Sequence, residues 1–215
     1  MSYWLAEPRG RVRRRVLTGT ALADAAVEIL DGEGPEALSM RRVAELLGVA
    51  QSSLYGHVRG RDDLRDLALD RVLGRELDGL LADAGDDVVA LAVNWFDHLV
   101  RHPWAAPLVL ERTPLGPSYL ALADELCRLL AEAGVPAHEV LGRSYSITAL
   151  VAGHAIAHEN ARRARRAGLG YEAVELSSSP HLASAVNGFA GGWPDVVRRG
   201  VEALSRCAVG PKQVD

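Results

Sequence analysis

Gln51, Ser52, Ser53, Tyr55 and His57 crowd short or planar hydrogen-bonding side chains into one stretch of the chain. On a helix, Leu54 and Val58 fall four apart on the opposite face, which leaves the polar groups pointing outward. Amide, hydroxyl and imidazole groups at that density match the donors and acceptors that base pairs display in the major groove, and they also reach phosphate oxygens. Arg41, Arg42, Arg59 and Arg61 flank the stretch with Glu45 between them as the opposing charge. The chemistry implied is recognition of double-stranded DNA rather than the making or breaking of bonds.

Two histidine pairs, His98 with His102 and His154 with His158, are each spaced by four. A zinc hydrolase needs a glutamate directly after the first histidine and a third ligand elsewhere. Leu99 follows His98 and Ala155 follows His154, so structural or pocket-lining roles are favoured, and no metal, cofactor or catalytic residue is assigned. Trp95, Phe96, Trp104, Tyr119 and Tyr145 suit either a core or a small-molecule pocket, since Asn94, His98, Ser144 and Thr148 interleave them with polar groups. The candidate ligand-binding set is Trp95, His98, Trp104, Tyr119, Tyr145 and Thr148. Arg162, Arg163, Arg165 and Arg166 read as the solvated end of a helix, where cations oppose the dipole.

The elements that position these groups are helical. A first helix is expected over about Thr18–Leu30, ended by Gly32, Gly34 and Pro35. The next opens at Ser39, a side chain that caps free backbone N–H groups. Its apolar face is Met40, Val43, Leu46 and Leu47, and it closes at Gly48, where a left-handed residue is needed. A turn at Gly48–Val49 leads to a second helix over about Ala50–Val58, making a helix-turn-helix over 39–58. A long fourth helix begins after Gly60, with Asp62 and Asp63 at its acid-favouring end, and carries apolar residues from Leu64 to Leu81 at helical spacing. Further helices are expected at about Asp86–Arg101, Pro103–Leu110, Pro117–Ala133, Pro136–Ala167, Pro180–Phe189 and Pro194–Ala208, several opened by a proline suited to the first turn. Gly168–Ser179 is the best candidate for a mobile loop. No alternating strand pattern and no internal repeat is evident.

The expected fold is therefore all-α. A three-helix DNA-binding domain over 1–65 carries a basic N-terminal arm, and a larger helical domain over 66–215 serves ligand binding and dimerisation. In the arm, Arg9, Arg11, Arg13, Arg14 and Arg15 follow one another with no acid between them, which suits phosphate or minor-groove contact beside the site. The 215 residues, 48% hydrophobic, suffice for a real core, and the formal net charge of −4 means that DNA binding depends on a local patch. Cys127 and Cys207 form no metal or redox motif and are expected as free thiols. With no signal-peptide pattern and no apolar run approaching about 18 residues, the expected location is cytoplasmic, with no membrane partner.

LGVAQSSLYGHVRGRDDL resembles the DNA-binding signature of the TetR family, and its Gln-x-x-Leu-Tyr-x-His-Val run is most like that of the tetracycline-repressor branch. RHPWAAPLVLERTPLGPSYLALADELCRLLAEAGV is similar, more weakly, to the regulatory domain of that branch. The resemblance implies that Gln51, Ser52, Ser53 and Arg41 read bases, and that Tyr55, His57 and Arg61 hold phosphates. It also implies a homodimer packed through the helices at about Pro136–Ala157 and Pro194–Ala208, where small residues such as Ala149, Ala152, Gly153 and Ala157 permit close approach.

The function expected is that of a ligand-responsive, non-enzymatic transcriptional regulator, a repressor released from a near-palindromic operator by a small effector. The rival readings are a small helical enzyme, for which no nucleophile motif or phosphate loop is present, and a non-specific architectural DNA binder. The chain departs from the tetracycline repressors where their pocket histidines help to hold a magnesium-bound drug, having Arg75 and Val109 there. An arginine repels a divalent cation and a valine cannot coordinate one, so the effector is expected to be an organic, largely apolar molecule.

Overall fold

The computed structural model describes residues 17–170, 174–188 and 191–206, and these are helical throughout, with no strand among them. In chain order the elements are α1 (Gly19–Gly32), a 3₁₀ turn (Pro35–Ala37), α2 (Met40–Leu47), α3 (Gln51–Leu54), α4 (Arg61–Ala84), α5 (Val88–Arg101), α6 (Ala105–Glu111), α7 (Pro117–Glu132), α8 (Ala137–Arg166), α9 (Pro180–Asn187) and α10 (Trp193–Ser205). The basic arm, Cys207 and part of the expected Gly168–Ser179 loop lie outside the described residues.

Local chemistry sets the first boundaries. Thr18 caps α1, its hydroxyl accepting from Ala21 N–H at 3.0 Å, and Ser39 caps α2 by accepting from Arg42 N–H at 3.1 Å. Gly48 closes α2 at φ 64°. Asp87, expected inside the fifth helix, instead caps it by accepting from Val89 N–H at 2.7 Å and Ala90 N–H at 3.2 Å, so α5 begins at Val88. The reading helix is shorter than its sequence pattern implies, ending at Leu54 with Tyr55 as its C-cap. Ala50 supplies no side-chain cap, and Gly56 disfavours continued helix. His57 and Val58 instead fold back by donating to the Leu54 carbonyl at 2.8 and 3.0 Å.

Helix α4 has 24 residues, a length of about 36 Å at 1.5 Å per residue. It runs unbroken across the expected boundary between residues 65 and 66. Helix α1 packs along it, and Asp24 of α1 pairs with Arg71 at 2.5 Å and Arg75 at 2.8 Å, well beyond that boundary. Further on, α4 packs against α5 and α7, and α8 lies across α5, α6, α7 and α10. One continuous buried cluster runs from Leu22 of α1 through Leu64 and Val72 of α4 to Ile147, Val151, Val197 and Val201.

Candidate nucleic-acid interface and effector site

Helix α3 is held onto the protein by Leu54 and Val58, which are 0% and 1% exposed. Its other face carries Gln51, Ser52 and Ser53, all exposed, followed by exposed Tyr55 and half-buried His57. Gln51 Nε2 donates to the Tyr55 hydroxyl at a long 3.4 Å, a bond weak enough to yield to a base edge. Arg41 stands at the start of α2, highly exposed and paired through Nε with Glu45 at 2.8 Å. Gln51, Ser52 and Ser53 thus face solvent from α3, with Tyr55 exposed and His57 half-buried just beyond it and Arg41 exposed at the start of α2.

Arg59 is used differently. The Asp63 carboxylate, itself buried, accepts from Arg59 three times: from backbone N–H at 2.7 Å, Nε at 2.9 Å and Nη2 at 2.7 Å. This clamp fixes the turn between α3 and α4 and leaves Arg59 fewer donors for a phosphate. Burial pushes the Asp63 carboxyl up, but the bonds from Arg59 outweigh it and hold the group below its ordinary value. Arg61, at the start of α4, reaches back to the Pro35 carbonyl. Sequence reasoning placed Asp63 at the helix start for its charge and did not foresee the clamp, although Arg59-x-x-x-Asp63 spacing is the available signal.

The six candidate ligand-binding residues fall into two groups. Trp95 of α5 meets Tyr119 of α7 edge-to-face with ring centroids 6.1 Å apart, and Thr148 of α8 lies beside the Tyr119 hydroxyl. Burial raises the Tyr119 phenol, with Thr148 pulling the other way, so it remains a protonated hydroxyl. Tyr145 is 56% exposed and belongs to the outward face of α8.

His98 and Trp104 lie in the second group, with Glu76, His102, Arg101 and Asp31. His98, 1% exposed, donates through Nδ1 to Glu76 Oε2 at 2.9 Å. Asp31 Oδ1 accepts from His102 Nδ1 at 2.8 Å and from Trp104 Nε1 at 2.6 Å. Burial lowers the His98 imidazole despite the Glu76 carboxylate beside it, which keeps the ring neutral. Burial alone would raise Glu76, but hydrogen bonds from His98 and Arg101 bring it down to about 2. This group ties the last turn of α1 to α4 and α5.

Asp70 of α4 forms a further link, accepting at the start of α7 from Ser118 N–H at 2.7 Å and Tyr119 N–H at 3.4 Å. Gly116 is required there, because a Cβ would stand 2.2 Å from Asp70 Oδ1. The Arg75 side chain pairs with Asp24 of α1, which offsets the charge expected to repel a cation. Val109 is buried.

A helix-turn-helix with an outward polar reading helix, joined through one long helix to a larger helical body, defines a DNA-binding regulator. Residues 22–67 match the family described as bacterial regulatory proteins, tetR family, and residues 82–192 match the tetracyclin repressor-like C-terminal domain. The chain is 32% identical to an HTH-type transcriptional regulator of Saccharopolyspora erythraea, over 94% of this chain and 88% of the relative. It is 37% identical to the HTH-type transcriptional repressor DrrR1 of Streptomyces coeruleorubidus, over 65% of this chain and 53% of that protein. Among solved structures it resembles the TetR family protein ActR of Streptomyces coelicolor in complex with actinorhodin, with TM-score 0.67, 25% identity and coverage of 87% of this chain and 95% of that one. The protein belongs to the TetR family of transcriptional regulators. No described helix is long and apolar enough to cross a membrane.

Proposed function

We propose that this regulator is a homodimeric, non-enzymatic repressor located in the cytoplasm, which occupies a near-palindromic operator and leaves it when a small, largely apolar effector binds the larger domain. The observation that carries this reading is the outward face of α3, where Gln51, Ser52 and Ser53 stand exposed on a helix anchored by Leu54. Gln51, Ser52, Ser53 and Arg41 read base edges, while Tyr55, His57 and Arg61 hold phosphates; Arg59 acts chiefly through its clamp on Asp63. Gln51→Ala should weaken operator binding by about 1–3 kcal/mol and relax preference at one base pair. Titrations on operator variants test this, and a uniform loss across all variants would contradict base reading.

The effector site lies at the Trp95–Tyr119–Thr148 cluster, where α5, α7 and α8 converge. Two aromatic faces and a protonated hydroxyl suit an apolar molecule with a polar handle. Parting these helices shifts α7, and Asp70 passes that shift to α4 and the reading head. His98 and Trp104, in the other cluster, lie outside this site.

For dimerisation, Leu141, Tyr145 and Ala149 stand exposed at four-residue spacing on α8, an apolar stripe that a second copy would cover. The functional division between reading head and effector domain falls within α4.

A magnesium-bound tetracycline is not the expected effector. Arg75 is committed to Asp24, so this rests on Val109, whose side chain has no donor atom for a cation. Calorimetry with tetracycline, with and without magnesium, should show no metal-dependent binding as tight as about micromolar, roughly −8 kcal/mol. Such binding would overturn the assignment.

A further inference from the structure

We infer that Glu76, His98 and His102 form a binding site for a divalent transition-metal ion of the zinc class, at the junction of α1, α4 and α5. One nitrogen from each imidazole and one Glu76 carboxylate oxygen lie within 4.8 Å of one another, and zinc bonds of about 2.0–2.2 Å in a tetrahedron would draw them to about 3.4 Å apart. The third ligand missing from the His98–His102 spacing is supplied by a different helix. Two imidazoles and one carboxylate favour zinc, cobalt or nickel over magnesium or calcium, which prefer oxygen ligands.

The arrangement of His102 points to a cation in particular. His102 Nδ1 is held by Asp31 Oδ1 at 2.8 Å, which turns Nε2 to the side of Glu76, with Oε1 3.6 Å away. A metal ion between Nε2 and Oε1 would bond to both. A carboxylate fixing the second nitrogen of a ligand histidine is how metal sites orient and enrich their imidazoles.

His98 is neutral and Glu76 ionised, the protonation states that ligation needs. When the ion binds, the proton shared by His98 Nδ1 and Glu76 moves to Nε2 of the same ring, and Arg101, half exposed and paired with Glu76, swings away. Water completes the coordination. Because Asp31 belongs to the last turn of α1, the ion bears on the element that carries the DNA-reading unit.

Titration of the chelator-treated full chain with cobalt(II), followed by its visible d–d absorption, tests the site. One ion per chain is expected, with the band absent in Glu76→Gln and in His102→Asn, each checked for retained helicity by circular dichroism. Asp31→Asn should weaken binding by about 10–100-fold. Arg101→Ala should tighten it, since a competing cation is removed, and His154→Ala, on α8, should leave it unchanged. No band in the native chain, a band that survives His102→Asn, or weaker binding in Arg101→Ala would each overturn the proposal.

Discussion

Leu54→Ala should lower folding stability by about 2–5 kcal/mol and abolish specific DNA binding under conditions where most of the chain remains helical. The reading helix has only four residues, too few to be stable alone. It lacks a side-chain cap, so its position depends on the fully buried Leu54, on Val58 and on the Arg59–Asp63 clamp that follows. Truncating Leu54 leaves a cavity under the helix and frees its orientation. Ser52→Ala, two residues earlier on the exposed face, should leave stability within about 0.5 kcal/mol of the native value while still weakening DNA binding. Urea denaturation with parallel operator titrations separates the two effects. Equal stability of Leu54→Ala and Ser52→Ala would show that Leu54 is not the anchor.

Trp95→Ala should cost about 3–5 kcal/mol, the upper range for loss of a buried aromatic, because the indole is 3% exposed and packs between α5 and α7. Trp95→Phe keeps an aromatic face against Tyr119 and should lose much less. On the account above it should bind the operator as the native chain does, since α3 and the α4 start are untouched, yet require more effector for release. Thermal unfolding and effector-dependent operator release measure the two quantities. Unaltered effector response in Trp95→Phe would move the site away from this cluster.

What could be read from the sequence follows the range of the interactions. Ser39 and Gly48 act on neighbours within a turn, so the limits of α2 were legible, and Leu54 with Val58 gave the correct buried side of the reading helix. Its length was not legible, because the apolar spacing continues past Gly56 while the backbone turns back onto the Leu54 carbonyl. Glu76 and Asp31 stayed hidden for another reason. Asp31 lies 71 positions from His102, and only the packing of α1 and α4 on α5 brings the three elements together.

The outward position of Tyr145 has a related cause. Helix α8 carries apolar residues around much of its circumference and packs against α5, α6, α7 and α10, so no single stripe announces which side faces the core. Trp95, Tyr119 and Thr148 were named as one group with His98 and Trp104, but the last two, also aromatic and more buried than Tyr119 or Thr148, were drawn by Asp31 and Glu76 into another. Residue type identified pocket-capable side chains; long-range pairing decided which of them meet.

Selection of DNA from a random pool by the purified full chain tests whether the regulator binds one near-palindromic operator. One enriched, near-palindromic sequence is expected, with half-sites about one helical turn apart, roughly 34–36 Å, or a multiple of it, as two reading helices in successive major grooves require. Enrichment of no sequence, or of a single unpaired half-site, would contradict it.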